Sequence, residues 1–118
     1  MKIIIAGNRN FKNYDLLQSK CNVYLKNLKH IEIISGMANG ADKLALRYAS
    51  ENNFELYEFP ALWHKYGKKA AYIRNREMAV YADALIAFWD GKSNGTKMMI
   101  DLARQYHLKI RIVYSQIL

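Results

Sequence analysis

The sequence has little of what marks secreted, metal-stabilised or membrane proteins. Its 118 residues include one cysteine and one proline, and its apolar runs last only a few residues. Cys21 has no partner for an internal disulfide, and no paired-cysteine or H-x-x-x-H spacing suits structural zinc. A membrane helix needs about 20 consecutive apolar residues. We therefore expect a single cytoplasmic domain over residues 1–118, without membrane contact, metal or bound cofactor.

Acidic residues are also scarce. Ten Asp and Glu stand against 18 Lys and Arg, which gives a formal net charge of +8. An excess of this size favours anionic partners such as nucleotides, nucleic acid or phosphorylated molecules. Charge alone does not select among them.

Along the chain, apolar residues alternate between the spacing typical of strands and the spacing typical of helices. Short apolar or alternating runs predict five strands, at 2–6, 31–34, 54–59, 84–89 and 109–114. Apolar residues at helical spacing predict four helices between them, at 13–28, 41–49, 70–81 and 96–106. Residues 60–69 are predicted to form a loop.

This alternation predicts an α/β fold, because parallel strands need crossover connections that are normally right-handed helices. We expect a three-layer, doubly wound parallel sheet of Rossmann-like type. The runs at 2–6 and 84–89 are the most apolar, which predicts that they are central and that the strand order is 3-2-1-4-5. Ligands of such sheets bind beyond the carboxyl ends of the strands.

Three loops at that edge consist of glycine and small polar residues. They are 7–11 (GNRNF), 35–40 (SGMANG) and 90–96 (DGKSNGT). Each leads into a predicted helix, so unpaired backbone N–H groups and the positive end of the helix dipole face a shared crevice, which favours phosphate. The loops lack the G-x-G-x-x-G and P-loop patterns, and Ser35 ends strand 2 where a dehydrogenase has an acid. Hydride transfer and Walker-type ATP hydrolysis are therefore disfavoured.

The segment 63–76 interleaves aromatic rings with cations. Trp63, Tyr66 and Tyr72 stand among Lys65, Lys68, Lys69, Arg74 and Arg76. Rings beside cations suit a stacked base and its phosphate, although a run of charge is also typical of a solvated face.

Three carboxylates allow a structural and a functional interpretation. Asp42 follows Asn39 as in a capping box, and Asp90 stands in a turn dipeptide, but either could hold ribose hydroxyls. A helical wheel places Glu77 inside the apolar stripe of its helix, where it needs a cation. Arg74 could serve as an intrahelical partner, or Glu77 could orient Arg74 or Arg76 toward a ligand.

Taken together, the motifs resemble the SLOG superfamily of Smf/DprA and LOG-like proteins, and most closely its small YspA-like branch. They are GNRNF at 7–11, SGMANGAD at 35–42, FPALWHKYG at 59–67, IRNREM at 73–78 and DALIAFWDGKSNGTK at 83–97. The resemblance implies a Rossmann-like sheet that binds nucleotides or nucleotide-derived molecules through the glycine loops after strands 2 and 4.

Two branches of the superfamily imply alternative functions. LOG proteins are phosphoribohydrolases with a G-x-G-T-x-x-E segment and an upstream arginine. Here Gly95 and Thr96 match, but Met99 stands at the glutamate position, which favours binding over catalysis. The DprA branch holds single-stranded DNA.

Our leading hypothesis is binding, for sensing or sequestration, of a free nucleotide or a nucleotide-derived signal such as an ADP-ribose-like molecule. The ligand-binding residues expected are Gly7, Arg9, Ser35, Gly36, Asn39, Gly40, Asp42, Trp63, Arg74, Arg76, Asp90, Gly91, Ser93, Gly95 and Thr96. One alternative is N-glycosidic cleavage of a nucleoside monophosphate, with Glu77 or Asp90 as the catalytic acid. The other is binding of single-stranded nucleic acid along 65–76.

We also expect a homodimer or homotetramer. Tyr14, Tyr81 and Met98 are predicted to expose apolar surface on helices that a small sheet does not cover.

Overall fold

Five parallel strands form one sheet in the computed structural model, which describes residues 1–115. The strands are β1 (Lys2–Gly7), β2 (Glu32–Ser35), β3 (Glu55–Glu58), β4 (Ala84–Trp89) and β5 (Lys109–Tyr114). They lie in the order β3-β2-β1-β4-β5, and each neighbouring pair is parallel. The predicted fold class and strand order are confirmed.

Helices cover both faces of the sheet. They are α1 (Tyr14–Leu25), α2 (Ala41–Glu51), α3 (Trp63–Tyr66), α4 (Ala70–Tyr81) and α5 (Asn94–Gln105). In β1, Ile3 and Ile5 pack with α1 and α2, whereas Ile4 and Ala6 pack with α4 and α5. Alternate side chains of a strand point to opposite faces, so residues 3–6 of this central strand are all apolar because both faces are covered.

Several predicted boundaries were wrong. The helix predicted at 13–28 ends at Leu25. Residues 60–69 are not a continuous loop, because they contain α3 and a 3-10 turn at Gly67–Lys69. Helix α5 begins at Asn94 rather than at Thr96. Just before this start, the Trp89 indole N–H donates to the carbonyl oxygen of Ser93, the N-cap, at 3.1 Å. Gly95 therefore lies in the first helical turn.

The predicted exposure of Tyr14 was also wrong. Its ring is buried, and its hydroxyl donates to Glu51 at 2.7 Å across the contact between α1 and α2. Tyr81 and Met98 are half-buried. None of the helices described over residues 1–115 is both long enough and apolar enough to cross a membrane.

Candidate ligand-binding site

Two adjoining hollows lie at the carboxyl edge of the sheet. The larger, which we call the main hollow, has a volume of about 450 Å³. Its walls come from the loops after β1 and β4 and from helices α2, α4 and α5. Its lining comprises residues 6–10, Ala38, Asp42, Ala71, Arg74, Asn75, Met78, 93–96, Met98 and Met99.

The second hollow has a volume of about 400 Å³ and lies toward α3. Its lining comprises Arg9, residues 36–39, Pro60, Ala61, Trp63 and Arg74. Arg9, Ala38 and Arg74 line both hollows, so the two spaces meet at a pair of arginines.

Arg74 reaches this junction because Gly36 has no side chain. Its Nη1 donates to the Gly36 carbonyl oxygen, and its Nε donates to Asn75 Oδ1 at 2.8 Å. A Cβ at position 36 would lie 2.9 Å from Arg74 Nη1 and 2.9 Å from Asp42 Oδ2. A side chain at Gly36 would therefore displace the guanidinium or the carboxylate.

Asp42 is the buried acid of this arrangement, with 6% of its surface exposed. Its Oδ2 accepts the Ala38 N–H at 3.2 Å. Burial raises the pKa of Asp42 to about 6, although the Ala38 N–H and the nearby Arg74 act in the opposite direction. Burial lowers the pKa of Arg74, and the charge of Asp42 opposes that shift. The expected capping box is absent from these residues, because Gly40 is the N-cap of α2 and has no side-chain bond.

The amino terminus of α5 opens on the main hollow. Ser93 is the N-cap, but its hydroxyl donates to Asp90 Oδ2 at 3.1 Å and does not cap the helix. Asp90 Oδ1 accepts the N–H groups of Lys92 and Ser93, each at 2.8 Å, and these bonds lower the pKa of Asp90. The first N–H groups of a helix have no intrahelical acceptor, so this turn presents donors beside Gly95.

Several predicted residues support the loops themselves. Ser35 is buried, where its hydroxyl donates to the Asp42 carbonyl oxygen at 3.0 Å and accepts the Met37 N–H. Gly40 has φ +81°, and a Cβ there would lie 2.0 Å from the Asn8 carbonyl oxygen. Only glycine suits that backbone and that close approach.

The structure brings together many of the predicted ligand-binding residues, but not all. The main hollow contains Gly7, Arg9, Asp42, Arg74, Ser93, Gly95 and Thr96. The second hollow contains Gly36, Asn39 and Trp63, together with Arg9 and Arg74. Neither hollow is lined by Ser35, Gly40, Arg76, Glu77, Asp90 or Gly91.

The prediction that Glu77 lies in the apolar stripe of α4 was wrong. Glu77 and Arg76 are exposed, and the buried face of the helix carries Asn75, Met78 and Ala79. Glu77 lines a separate hollow of about 200 Å³ beside Tyr57. Glu77 consequently needs no buried cation partner.

Two buried asparagines in the main hollow were missed by sequence reasoning. Asn8 is 2% exposed and Asn75 is 6% exposed. The available signal is their place within the GNRNF and IRNREM motifs, next to the arginines predicted to bind the ligand.

The sheet, its crossovers and the hollow at its carboxyl edge define a Rossmann-like protein of the doubly wound class. Residues 1–66 match the model of the YspA, cpYpsA-related SLOG family, and the chain belongs to that family. This confirms the predicted resemblance. A comparison with curated protein sequences finds no match.

Two solved structures share the fold. DNA processing protein A (DprA) from Streptococcus pneumoniae superposes with a TM-score of 0.78 at 19% identity, over 99% of this chain and 51% of that one. DprA from Helicobacter pylori, which binds single-stranded DNA, superposes with a TM-score of 0.75 at 18% identity, over 99% of this chain and 66% of that one. The chain thus spans between about half and two thirds of these proteins.

Proposed function

We propose that the protein binds a free nucleotide or a nucleotide-derived molecule, such as ADP-ribose, for sensing or sequestration. The observation that carries this proposal is the placement of Arg9 and Arg74, each of which lines both hollows. Guanidinium groups form strong, often bidentate hydrogen bonds to phosphate oxygens. A phosphate or diphosphate at the junction would be neutralised there, while the rest of the ligand extends to either side.

The two hollows support a ligand with two lobes. Their volumes of about 450 and 400 Å³ lie within the range of small-molecule sites. The main hollow offers methionine and alanine side chains, with Met78, Met98 and Met99 among its lining. In the second, Trp63 is 53% exposed and, within residues 1–115, stacks on no other aromatic ring. A base or a ribose could occupy each space.

The test is binding of AMP, ADP-ribose and inorganic pyrophosphate, measured by isothermal titration calorimetry and by the shift in thermal midpoint. Mass spectrometry of small molecules released by heat denaturation would identify any ligand retained during purification. Arg9→Gln should weaken binding by about tenfold, since it removes a charge-assisted hydrogen bond. Arg104→Gln removes the same charge from an exposed position near the end of α5 and should bind as wild type.

Failure of all three probes to bind or stabilise the wild-type protein, with no nucleotide released on denaturation, would contradict the proposal. Equal losses in Arg9→Gln and Arg104→Gln would show that net charge, rather than the junction, attracts the probes.

A second candidate function is binding of single-stranded nucleic acid. Two observations favour it: the shared fold with a DprA that binds single-stranded DNA, and the exposed Lys65, Lys68 and Lys69 in α3 and the segment that leads from it to α4. This function predicts affinity that increases with oligonucleotide length and falls steeply with salt, because phosphate binding releases counterions. Fluorescence anisotropy with oligothymidylates of several lengths would measure both. Equal affinity for long oligonucleotides and for a mononucleotide would contradict it.

N-glycosidic cleavage has less support. Among residues 1–115, Asp42 is the one carboxylate that lines the main hollow, since Glu77 lies elsewhere and Asp90 is bonded within its own loop. Release of free base when the protein is incubated with a nucleoside monophosphate would support this alternative. Full turnover by Glu77→Gln would then exclude Glu77 as the acid.

A further inference from the structure

Asn8 is a buried polar residue of the main hollow whose side-chain nitrogen has no partner. The residue follows β1 directly and is 2% exposed. Within residues 1–115, its Nδ2 meets no hydrogen-bond acceptor. An unpaired buried amide donor lowers the stability of the folded state, so such groups normally have a partner in the functional state.

The position of Asn8 is determined by its backbone. Its N–H donates to the Phe88 carbonyl oxygen at 3.2 Å, and its own carbonyl oxygen accepts the N–H groups of Phe11 at 3.1 Å and Ala41 at 3.4 Å. These bonds join β1 to β4 and to the start of α2. These backbone hydrogen bonds consequently fix the place at the carboxyl edge from which the Asn8 side chain extends.

The orientation of the amide follows from its acceptor side. Oδ1 accepts the backbone N–H of Asp90 and the hydroxyl of Thr96, both at 3.4 Å. The Asp90 N–H can only donate, so the oxygen must face it and the nitrogen must face elsewhere. Both bonds are long, which leaves the amide able to tilt toward a ligand.

The surroundings select the kind of acceptor. Thr96 lies in the first turn of α5, and Gly95 lines the same hollow one residue earlier. A helix amino terminus favours negative charge. A phosphate oxygen beside this turn would meet the Asn8 donor and the first N–H groups of α5 together.

We propose that Asn8 is a ligand-binding residue whose side-chain Nδ2 donates a hydrogen bond to a phosphate oxygen in the main hollow. This inference rests on the proposed nucleotide-binding function. It adds a position for the phosphate, since a phosphate that contacts Asn8 lies in the main hollow, whereas one held by the arginines alone need not. A hydrogen-bond acceptor is required, since the amide nitrogen can only donate.

The test compares three variants by calorimetric titration with AMP, ADP-ribose and inorganic pyrophosphate. Asn8→Ala removes the donor, and Asn8→Asp keeps the shape and the acceptor for the Asp90 N–H while replacing the donor. Asn27→Ala is the matched control, because Asn27 is an exposed asparagine that lines neither hollow. Thermal midpoints measured without a probe show whether each variant is folded at the temperature of the titration.

We expect binding about tenfold weaker in Asn8→Ala than in wild type or Asn27→Ala, and weaker still in Asn8→Asp, where a carboxylate repels phosphate. Affinities of both Asn8 variants within about twofold of Asn27→Ala, measured on folded protein, would overturn this inference and leave the proposed function intact. Absence of binding by the wild type to all three probes would overturn both.

Discussion

At the residue scale, the carboxylate of Asp42 is buried beside the cation that is proposed to hold the ligand. Gly36 leaves the space in which Asp42 and Arg74 approach each other. The acid has a folded-state pKa of about 6, against about 3.9 for an unperturbed aspartate. Burial of this group therefore reduces stability at neutral pH.

This shift predicts how stability depends on pH. Between about pH 4 and 6 the folded state binds a proton that the unfolded state does not, so the free energy of unfolding should increase as pH falls through this window. The contribution of Asp42 is up to about 3 kcal/mol, fully present below pH 4 and lost above pH 6. Urea denaturation of wild type and Asp42→Asn at pH 7, 6, 5 and 4 would measure it.

Asp42→Asn cannot titrate at this position, so its difference from wild type isolates the effect from that of other carboxylates. The difference in unfolding free energy should move in favour of the wild type as pH falls. A constant difference over the whole range would show that Asp42 has an ordinary pKa.

At the scale of single elements, the first turn of α5 combines three features: no side-chain cap, a glycine and a wall of the main hollow. Nothing lies within 4 Å of a Cβ built at Gly95, and its φ is not in the left-handed region. Packing and backbone geometry therefore do not require glycine here. The proposed binding of a ligand to the helix N–H groups would be a physical reason for glycine at this position.

Gly95→Ala should consequently separate stability from binding. Alanine in a helix is favoured over glycine by about 0.5–1 kcal/mol, so the thermal midpoint of the unliganded protein should rise slightly. Binding of inorganic pyrophosphate should weaken, since the new methyl group stands in the hollow. Calorimetry and thermal unfolding on the same samples would measure both; unchanged affinity would indicate that no phosphate approaches this turn.

At the scale of the whole molecule, the sheet has two exposed edges. β3 is exposed along its length, and Tyr57 on it is 47% exposed; at the other edge, Tyr114 on β5 is 65% exposed. An unpaired strand edge with exposed apolar side chains favours pairing with another chain. The predicted homodimer or homotetramer remains a prediction. We assign it to β3, because all four residues of β3 are exposed, whereas β5 includes the buried Val113.

Sedimentation equilibrium would test this assignment. The wild type should have at least twice the mass of one chain, and Tyr57→Lys should shift the equilibrium toward the monomer because a charge on β3 opposes pairing. Tyr114→Lys makes the same change at the opposite edge and should leave the mass unchanged. A monomeric wild type at micromolar concentration would contradict the prediction.

The sequence predicts the central strands of the sheet better than it predicts the buried face of α4. Residues 84–89 are apolar at every position, a pattern typical of a central strand, and they form β4 as predicted. In α4 the limits 70–81 were also correct, but the buried face was not. Successive side chains of a helix are rotated by about 100° around its axis. Because Ile73, Val80 and Tyr81 are all apolar, the helical wheel does not define a single buried face for α4. Val80 is 64% exposed, and Asn75 is buried instead.

The sequence by itself determined the layers, the strand order and the edge at which the glycine loops meet, because hydrophobic period and crossover handedness act locally or through simple topology. Only the tertiary structure decided which side chains converge. Arg74 meets Gly36 across 38 positions, and Asn8 has neighbours up to 88 positions away. Whether such a buried group has a partner depends on the packing of several elements at once, which no local pattern records.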